Sequence, residues 1–272
     1  MARQGGSESL SVYASSWLLI ARHFSSRSIP MGFVMRHLLQ DKLLCVQDGI
    51  AAAASRAGRD PASITLVAVS KTQPVEALIA AYQLGVRHFG ENRIEEGALK
   101  IPAFRQAISD PSVVFHMVGH LQSRKADEAV RLFDRVHSVD SVKLAQRLDR
   151  FASAQNKSLP IFLEVNVSGE ASKYGFDHAR RDELFGAVET IVQLQHVRLD
   201  GLMTMAPIVA DPNDARPVFR ALRELRDDLE VRYSSVHLPH LSMGMTDDFE
   251  VAIEEGATMV RVGRAIFGER IG

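Results

Sequence analysis

The chain has 272 residues, 46% hydrophobic and 24% charged, a globular balance that excludes a wholly disordered protein. Lys and Arg total 32 against 33 Asp and Glu, and the net charge of −1 leaves no positive excess for a general nucleic-acid binder. No apolar run approaches the roughly 20 residues that span a bilayer, and a single cysteine, Cys45, excludes an internal disulfide or a cysteine-rich metal site and fits a reducing compartment.

Residues 1–34 differ from the rest. Glu8 is their only acid, and Ser and Arg recur at Arg3, Ser15, Ser16, Arg22, Ser25, Ser26 and Arg27. This composition marks organelle transit peptides, and it is also what an upstream start codon gives if Met31 or Met35 is the true start, the reading we favour. The segment is expected to be a disordered extension, with the folded body over 35–272.

Residues 34–59 read as a helix: Met35, Leu38, Leu39, Leu43, Val46 and Ile50 recur at three- and four-residue spacing, and Gly58 with Asp60-Pro61 ends it. Strand and helix then alternate. Residues 64–70 form a β-branched run read as a buried strand. Pro74 opens a helix that Gly85 stops. A second strand is predicted at 86–89, then a helix at 93–108 weakened by Gly97 and Pro102. A strand at 113–118 and a helix at 123–132 follow, then a strand at 135–139 and a helix at 141–155 capped by Ser141 or Asp140. Strands at 160–167 and 197–203 precede helices at 177–193 and 214–231. A weaker strand at 236–242, a helix at 247–255 and a strand at 259–262 close the series. Eight strands, each but the last followed by a helix, imply parallel pairing with helical crossovers. Eight repeats point to one closed (β/α)8 barrel of the TIM type, because the eighth strand can pair with the first. The pattern alone also allows a doubly wound open sheet, but the first strand lacks the glycine-rich turn that such a dinucleotide-binding fold carries there.

Active sites of such barrels lie at the C-terminal strand ends. Lys71 ends the first strand, where a packed stem would aim its amine into the mouth. Desolvation there lowers an amine's proton affinity and favours imine formation with a carbonyl, though the position also suits a lysine that snorkels at the rim. The competing amines are weaker candidates: Lys125 falls in the first turn of a helix, and Lys173 in a long, loosely held loop. Ser242 and Gly244 follow the seventh strand; Arg261, Gly263 and Arg264 belong to the eighth and its loop. In this fold those two loops often bind phosphate, and glycine lets the backbone approach an anion. His116 and His120 would be a metal pair on a helix, but on a strand they stand apart, so no metal site is expected. Arg220, Arg223, Arg226 and Arg232 alternate with acids and read as a solvated helix face. Glu91 receives no role.

Seven segments in order resemble the pyridoxal phosphate homeostasis protein family: VAVSKT at 67–72, HFGEN at 88–92, GHLQS at 119–123, EVNVS at 164–168, GLMTMAP at 201–207, LSMGM at 241–245 and MVRVGRAIFG at 259–268. The resemblance covers about residues 36–270. It implies a barrel similar to the barrel domain of alanine racemase, with a helix before the first strand. It implies pyridoxal 5′-phosphate as a Schiff base on Lys71, with Asn92, Met203, Ser242, Gly244, Arg261, Gly263 and Arg264 binding the cofactor. The phosphate falls near Ser242, Gly244, Gly263 and Arg264, and the ring nitrogen near Arg261, where an arginine disfavours ring protonation and weakens the electron sink. Relatives often carry a small hydroxyl residue at position 264, so the resemblance leaves the side-chain role of Arg264 open while its backbone N–H can still serve. The resemblance further implies a cofactor carrier without catalytic residues, cytoplasmic, a monomer or weak dimer, with pyridoxal-phosphate-dependent apo-enzymes as partners. The alternative is a racemase. Alanine racemases add a β domain after the barrel, whereas this sequence stops at Gly272, which favours the carrier.

Overall fold

In the computed structural model the described residues are 31–268 except residue 171, so the expectation of a disordered extension lies almost wholly outside them. The first helix, α1 (Met31–Arg56), buries Leu39, Leu43, Val46, Ile50, Ala53 and Ala54. The helical period that places these on one face is the one read from sequence.

The strands are β1 (Thr65–Val69), β2 (His88–Glu91), β3 (Val114–Met117), β4 (Arg135–Val139), β5 (Leu159–Asn166), β6 (Phe176–Asp177), β7 (Val197–Met203), β8 (His240–Ser242) and β9 (Met259–Val262). The connecting helices are α2 (Val75–Gln83), α3 (Ile94–Ala107), α4 (Ala126–Leu132), α5 (Val142–Ala154), α6 (Arg181–Ile191), α7 (Arg216–Arg232), α8 (Phe249–Glu254) and α9 (Arg264–Phe267). Pairing runs β1-β2-β3-β4-β5-β7-β8-β9 and returns to β1, all parallel: the closed eight-stranded barrel expected from the alternation. Helix α1 packs against α2, α8 and α9, where the first and last repeats meet, and Arg56 pairs with Glu250 at 2.8 Å and Glu254 at 2.7 Å. No helix among the described residues is long and apolar enough to cross a membrane.

The departures from the predicted elements have physical causes. Strand β6 was not anticipated; it is two residues long and pairs only with the end of β5, through Val165–Phe176 and Asn166–Asp177. It takes Asp177 from the helix expected at 177–193, which starts instead at Arg181. Strand β8 keeps only three of the seven predicted residues, because Pro239 has no N–H to give a ladder. Strand β2 runs two residues further than its apolar stretch, since the Gly90 carbonyl accepts the Ser70 N–H at 2.9 Å. Pro102 does not divide α3: its ring is exposed, and buried Ile94, Ile101 and Phe104 anchor the helix on both sides. Ser141 caps α5, accepting from Leu144 N–H at 3.3 Å.

Side chains alternate across each strand and build two interiors. Outside the ring, Phe89, Phe104 and Phe115 pack together with Leu78, Val136, Leu163, Leu202 and Leu241 in the core between strands and helices. Inside the ring, Phe162, Met203 and Met259 form a small apolar cluster. The lumen also holds polar groups, among them His116, His137, Glu164 and Arg261, all buried.

Gly201 of β7 faces the neighbouring backbone. A Cβ there would lie 2.1 Å from the His240 carbonyl oxygen, and neither strand can yield without opening the ring. Gly201→Ala is therefore expected to destabilise the fold by about 3 kcal/mol, read as a lower urea midpoint at unchanged slope.

Candidate functional site

Lys71 follows β1 at the position that alternation turns inward with Val67 and Val69, both of which line the lumen against Gly90. A buried polar cluster holds the residues on either side of it. Ser70 donates its hydroxyl to Glu91 Oε1 at 2.7 Å. Lys100 of α3 donates to the Ser70 carbonyl at 2.8 Å and pairs with Glu91 at 2.7 Å and Glu96 at 3.1 Å. Glu96 accepts the Thr72 N–H at 2.6 Å. Thr72 adopts φ +64°, unusual for a β-branched residue, and the bond to Glu96 helps hold it there. Burial pushes the Glu91 carboxyl above its usual range, and Lys100 and Ser70 oppose the shift. Glu91, given no role from sequence, thus supports the Lys71 turn from outside the barrel wall.

Arg261 of β9 points into the lumen. It donates through Nη1 to the Ser242 carbonyl and hydroxyl, each at 2.7 Å, and through Nη2 to the Thr204 carbonyl at 2.8 Å. Burial pushes its pKa down to about 10, against the attraction of Glu164 and Asp248, so it remains a cation at neutral pH. The Ser242 hydroxyl also lies 2.8 Å from His137 Nδ1. It is fully buried and engaged on both sides, which makes it an anchor for Arg261.

Gly244 has φ +90°, and a Cβ there would come within 2.6 Å of Ala252 and 2.9 Å of Phe249 Cα, so the turn after β8 requires glycine to pack on α8. A Cβ on Gly263 would lie 2.9 Å from the Val69 carbonyl, so the end of β9 sits against the end of β1, two residues from Lys71. Met203 lies in the lumen with Phe162, Met259 and Met205. Asn92 is half-buried beyond β2. Asn92, Lys71, Arg261 with Gly263, Ser242 with Gly244, and Met203 therefore occupy the C-terminal ends of five adjacent strands: β2, β1, β9, β8 and β7. The Arg264 side chain stands apart from them. Its guanidinium is exposed and pairs with Asp247 at 2.6 Å.

The competing lysines are tied elsewhere. Lys125 pairs with Glu95. Lys173 is better held than its loop position implied: it contacts Glu170 at 2.6 Å, and Ser168 Oγ and the Met205 carbonyl at 3.2 Å each. On the opposite arc, Tyr174 stacks on His120 at 3.6 Å, and His120 Nδ1 is 3.4 Å from Asp140. Glu164 escaped the sequence reading. Counting back by twos from Asn166 would have marked it as inward-facing. It is 3% exposed, its Oε2 has no hydrogen-bond partner, and burial pushes its pKa up to about 7 despite Arg261. Among the described residues no three His, Cys, Asp or Glu side chains are grouped as metal ligands.

The sequence profile of the family described as "Alanine racemase, N-terminal domain" matches residues 48–271. The pyridoxal phosphate homeostasis protein of Aquifex aeolicus is 42% identical over 230 residues, covering 85% of this chain and 97% of that protein. The protein of the same name from Escherichia coli K12 is 41% identical over 225 residues, 83% of this chain and 94% of the relative. The chain belongs to the pyridoxal phosphate homeostasis protein family. Among solved structures, PipY of Synechococcus elongatus with pyridoxal phosphate bound matches at TM-score 0.68 and 38% identity over 80% of this chain and 100% of its own. Alanine racemase of Clostridium difficile, 14% identical with TM-score 0.64 and matched over 58% of its length, shares the barrel fold.

The Glu164 shift has a sign that unfolding can read. Its folded pKa lies above the unfolded value, so its stabilising contribution is complete below the ordinary carboxylate range and is lost as pH rises to about 7. Glu164→Gln, which keeps the neutral shape, is expected to match the wild type near pH 4 and to exceed it by up to about 3 kcal/mol near pH 8 in urea unfolding.

Proposed function

We propose that this chain binds pyridoxal 5′-phosphate as a reversible Schiff base on Lys71 and serves as an intracellular carrier that keeps the free aldehyde low. The carrying observation is the arc of five strand ends on which a rigidly backed Lys71 turn adjoins Gly263 and the Arg261 cation. The donor set fits the cofactor: an amine for its aldehyde, close-packed glycine turns at Gly244 and Gly263 for its phosphate, a buried donor for its ring, and Asn92 and Met203 at the edges. PipY, described with pyridoxal phosphate bound, supports the assignment, as do the names of the relatives.

When bound, the cofactor supplies an electrophilic carbon and an electron-poor ring. The protein's part is to bind and to restrain. Lys71 offers its amine from a turn that Ser70, Glu91, Glu96 and Lys100 keep from shifting. Arg261 only donates, so it does not pass a proton to a ring nitrogen as a carboxylic acid would. A ring facing it is a poor electron sink, which suits storage and delivery better than broad amino-acid chemistry. We assign Ser242 to fixing Arg261, with the backbone of residues 244 and 263–264 serving the phosphate. The compartment we propose is the cytoplasm, the state a monomer or weak dimer, and the recipients apo-enzymes that use the same cofactor.

Absorbance of the loaded protein, borohydride reduction and peptide mapping test the assignment. Lys71→Ala is expected to abolish the Schiff-base absorbance, while Lys125→Ala and Lys173→Ala retain it, because neither of those amines stands on the turn after β1; they pair with Glu95 and Glu170. A reduced pyridoxyl group on Lys125 or Lys173 would overturn the strand-one site. The carrier reading also predicts no substantial racemisation of alanine or other common amino acids; Lys71-dependent turnover near 1 per second or above would make the protein an enzyme.

A further inference from the structure

Three histidines stand in single file across the lumen beneath Arg261. His88 Nδ1 is 3.0 Å from His116 Nε2, His116 Nδ1 is 2.9 Å from His137 Nε2, and His137 Nδ1 is 2.8 Å from Ser242 Oγ. Ser242 Oγ in turn lies 2.7 Å from Arg261 Nη1. Every joint has the same sense: the Nδ1 of one ring meets the Nε2 of the next, and the last Nδ1 meets the hydroxyl.

One end sets the direction of the protons. A guanidinium has donors only, so Ser242 Oγ accepts from Arg261. If His137 Nδ1 also carried a proton, the hydroxyl would accept twice, and its own buried hydrogen would have no partner among the described contacts, which is unfavourable. Ser242 therefore donates to His137 Nδ1. His137 then carries its proton on Nε2 and donates to His116 Nδ1, and His116 does the same to His88 Nδ1. Each ring is neutral. Burial pushes the pKa of His116 and His137 well below the usual histidine value, and that of His88 below it. Arg135, from β4, and His240, from β8, add positive repulsion around the file, while Asp200 pairs with Arg135 at 3.3 Å. An extra proton on any one ring would reverse the bonds between it and Ser242 and leave the hydroxyl proton stranded.

We propose that His88, His116 and His137 are a neutral, one-directional hydrogen-bond chain, each protonated on Nε2, that positions the Ser242 hydroxyl and through it the Arg261 guanidinium. That Arg261 then faces the ring of pyridoxal phosphate rests on the functional reading above; the chain itself does not. These are positioning residues, since they touch Arg261 only through Ser242.

Nitrogen-15 spectra of the histidine rings in the full chain without added ligand test the tautomers at pH 7. The expected pattern for all three is a bare Nδ1 and a protonated Nε2. In Ser242→Ala the terminal constraint is gone, and His88, three links away across the lumen, is expected to become a mixture of tautomers. A protonated Nδ1 or a charged ring in the unsubstituted protein, or an unchanged His88 in Ser242→Ala, would overturn the chain. The second arm titrates pyridoxal phosphate by absorbance. His137→Phe keeps a ring against Phe162, which stacks on His137 at 4.1 Å, but removes the acceptor, and is expected to weaken binding about tenfold. His137→Gln, whose amide can accept from Ser242 and donate to His116, is expected to stay within about threefold of the wild type. Equal losses in both variants, or none in His137→Phe, would refute the positioning role. If the unsubstituted protein takes up no pyridoxal phosphate, the functional reading fails, and the ring spectra still decide the chain.

Discussion

The Arg261 guanidinium is buried in the barrel and makes its hydrogen bonds to three neutral oxygens, the Ser242 carbonyl and hydroxyl and the Thr204 carbonyl, with no carboxylate in contact. Burying an isolated charge is costly unless acceptors replace its water. The fold supplies them through its own geometry. A parallel ladder leaves carbonyls at the C-terminal strand ends with spare acceptor capacity; β8 ends beside β9, and β7 ends one strand further on. A cation rising from β9 meets those carbonyls without any special loop. Ring closure, which puts β9 between β8 and β1, is therefore also what sets Arg261 beside the Lys71 turn.

Two interiors make this tolerable. The outer core, between strands and helices, is apolar and carries the packing of Phe89, Phe104 and Phe115. The lumen is thereby free to hold polar groups beside a small apolar cluster of Phe162, Met203 and Met259. The Ser70–Glu91–Lys100 cluster is one exception, a charged group on the helix side of the wall. Removing Lys100 would leave Glu91 buried and unpaired, the circumstance in which breaking an ion pair costs several kcal/mol.

Much of the fold was legible because each strand is a local event. β-branched runs, Gly stops and helix caps lie within a few residues of what they control, and β4 and β9 fall where their patterns put them. One error arose where a neighbour decides, since β6 exists only by pairing with the end of β5; the other passed over a local signal, Pro239, which cuts β8 short. Lys71 was legible because an apolar strand leads directly to it. Its supports were not, since Glu91, Glu96 and Lys100 come from the next βα unit and read in isolation as an ordinary strand end and helix face. The spacing of His116 and His120 invited a metal reading, whereas the contacts of His116 are with His88 and His137 on the flanking strands. Alternation alone turns all three rings inward, but only the register between β2, β3 and β4 brings them into file.

The two buried glutamates separate the chemistry of the two faces of the wall. Glu91 and Glu164 each have one oxygen without a hydrogen-bond partner, and burial raises both. Outside the wall, Glu91 touches Lys100 and Ser70, so its negative charge is compensated at contact distance and the Lys71 turn gains a stiff support. Inside, Glu164 feels Arg261 only through space, and near neutral pH its charge is balanced against burial. A fully charged Glu164 in contact with Arg261 would draw the guanidinium off the Ser242 and Thr204 oxygens. Holding the carboxylate away and the histidines neutral leaves Arg261 seated by neutral acceptors, with its direction fixed by hydrogen-bond geometry and its charge still available to a ligand.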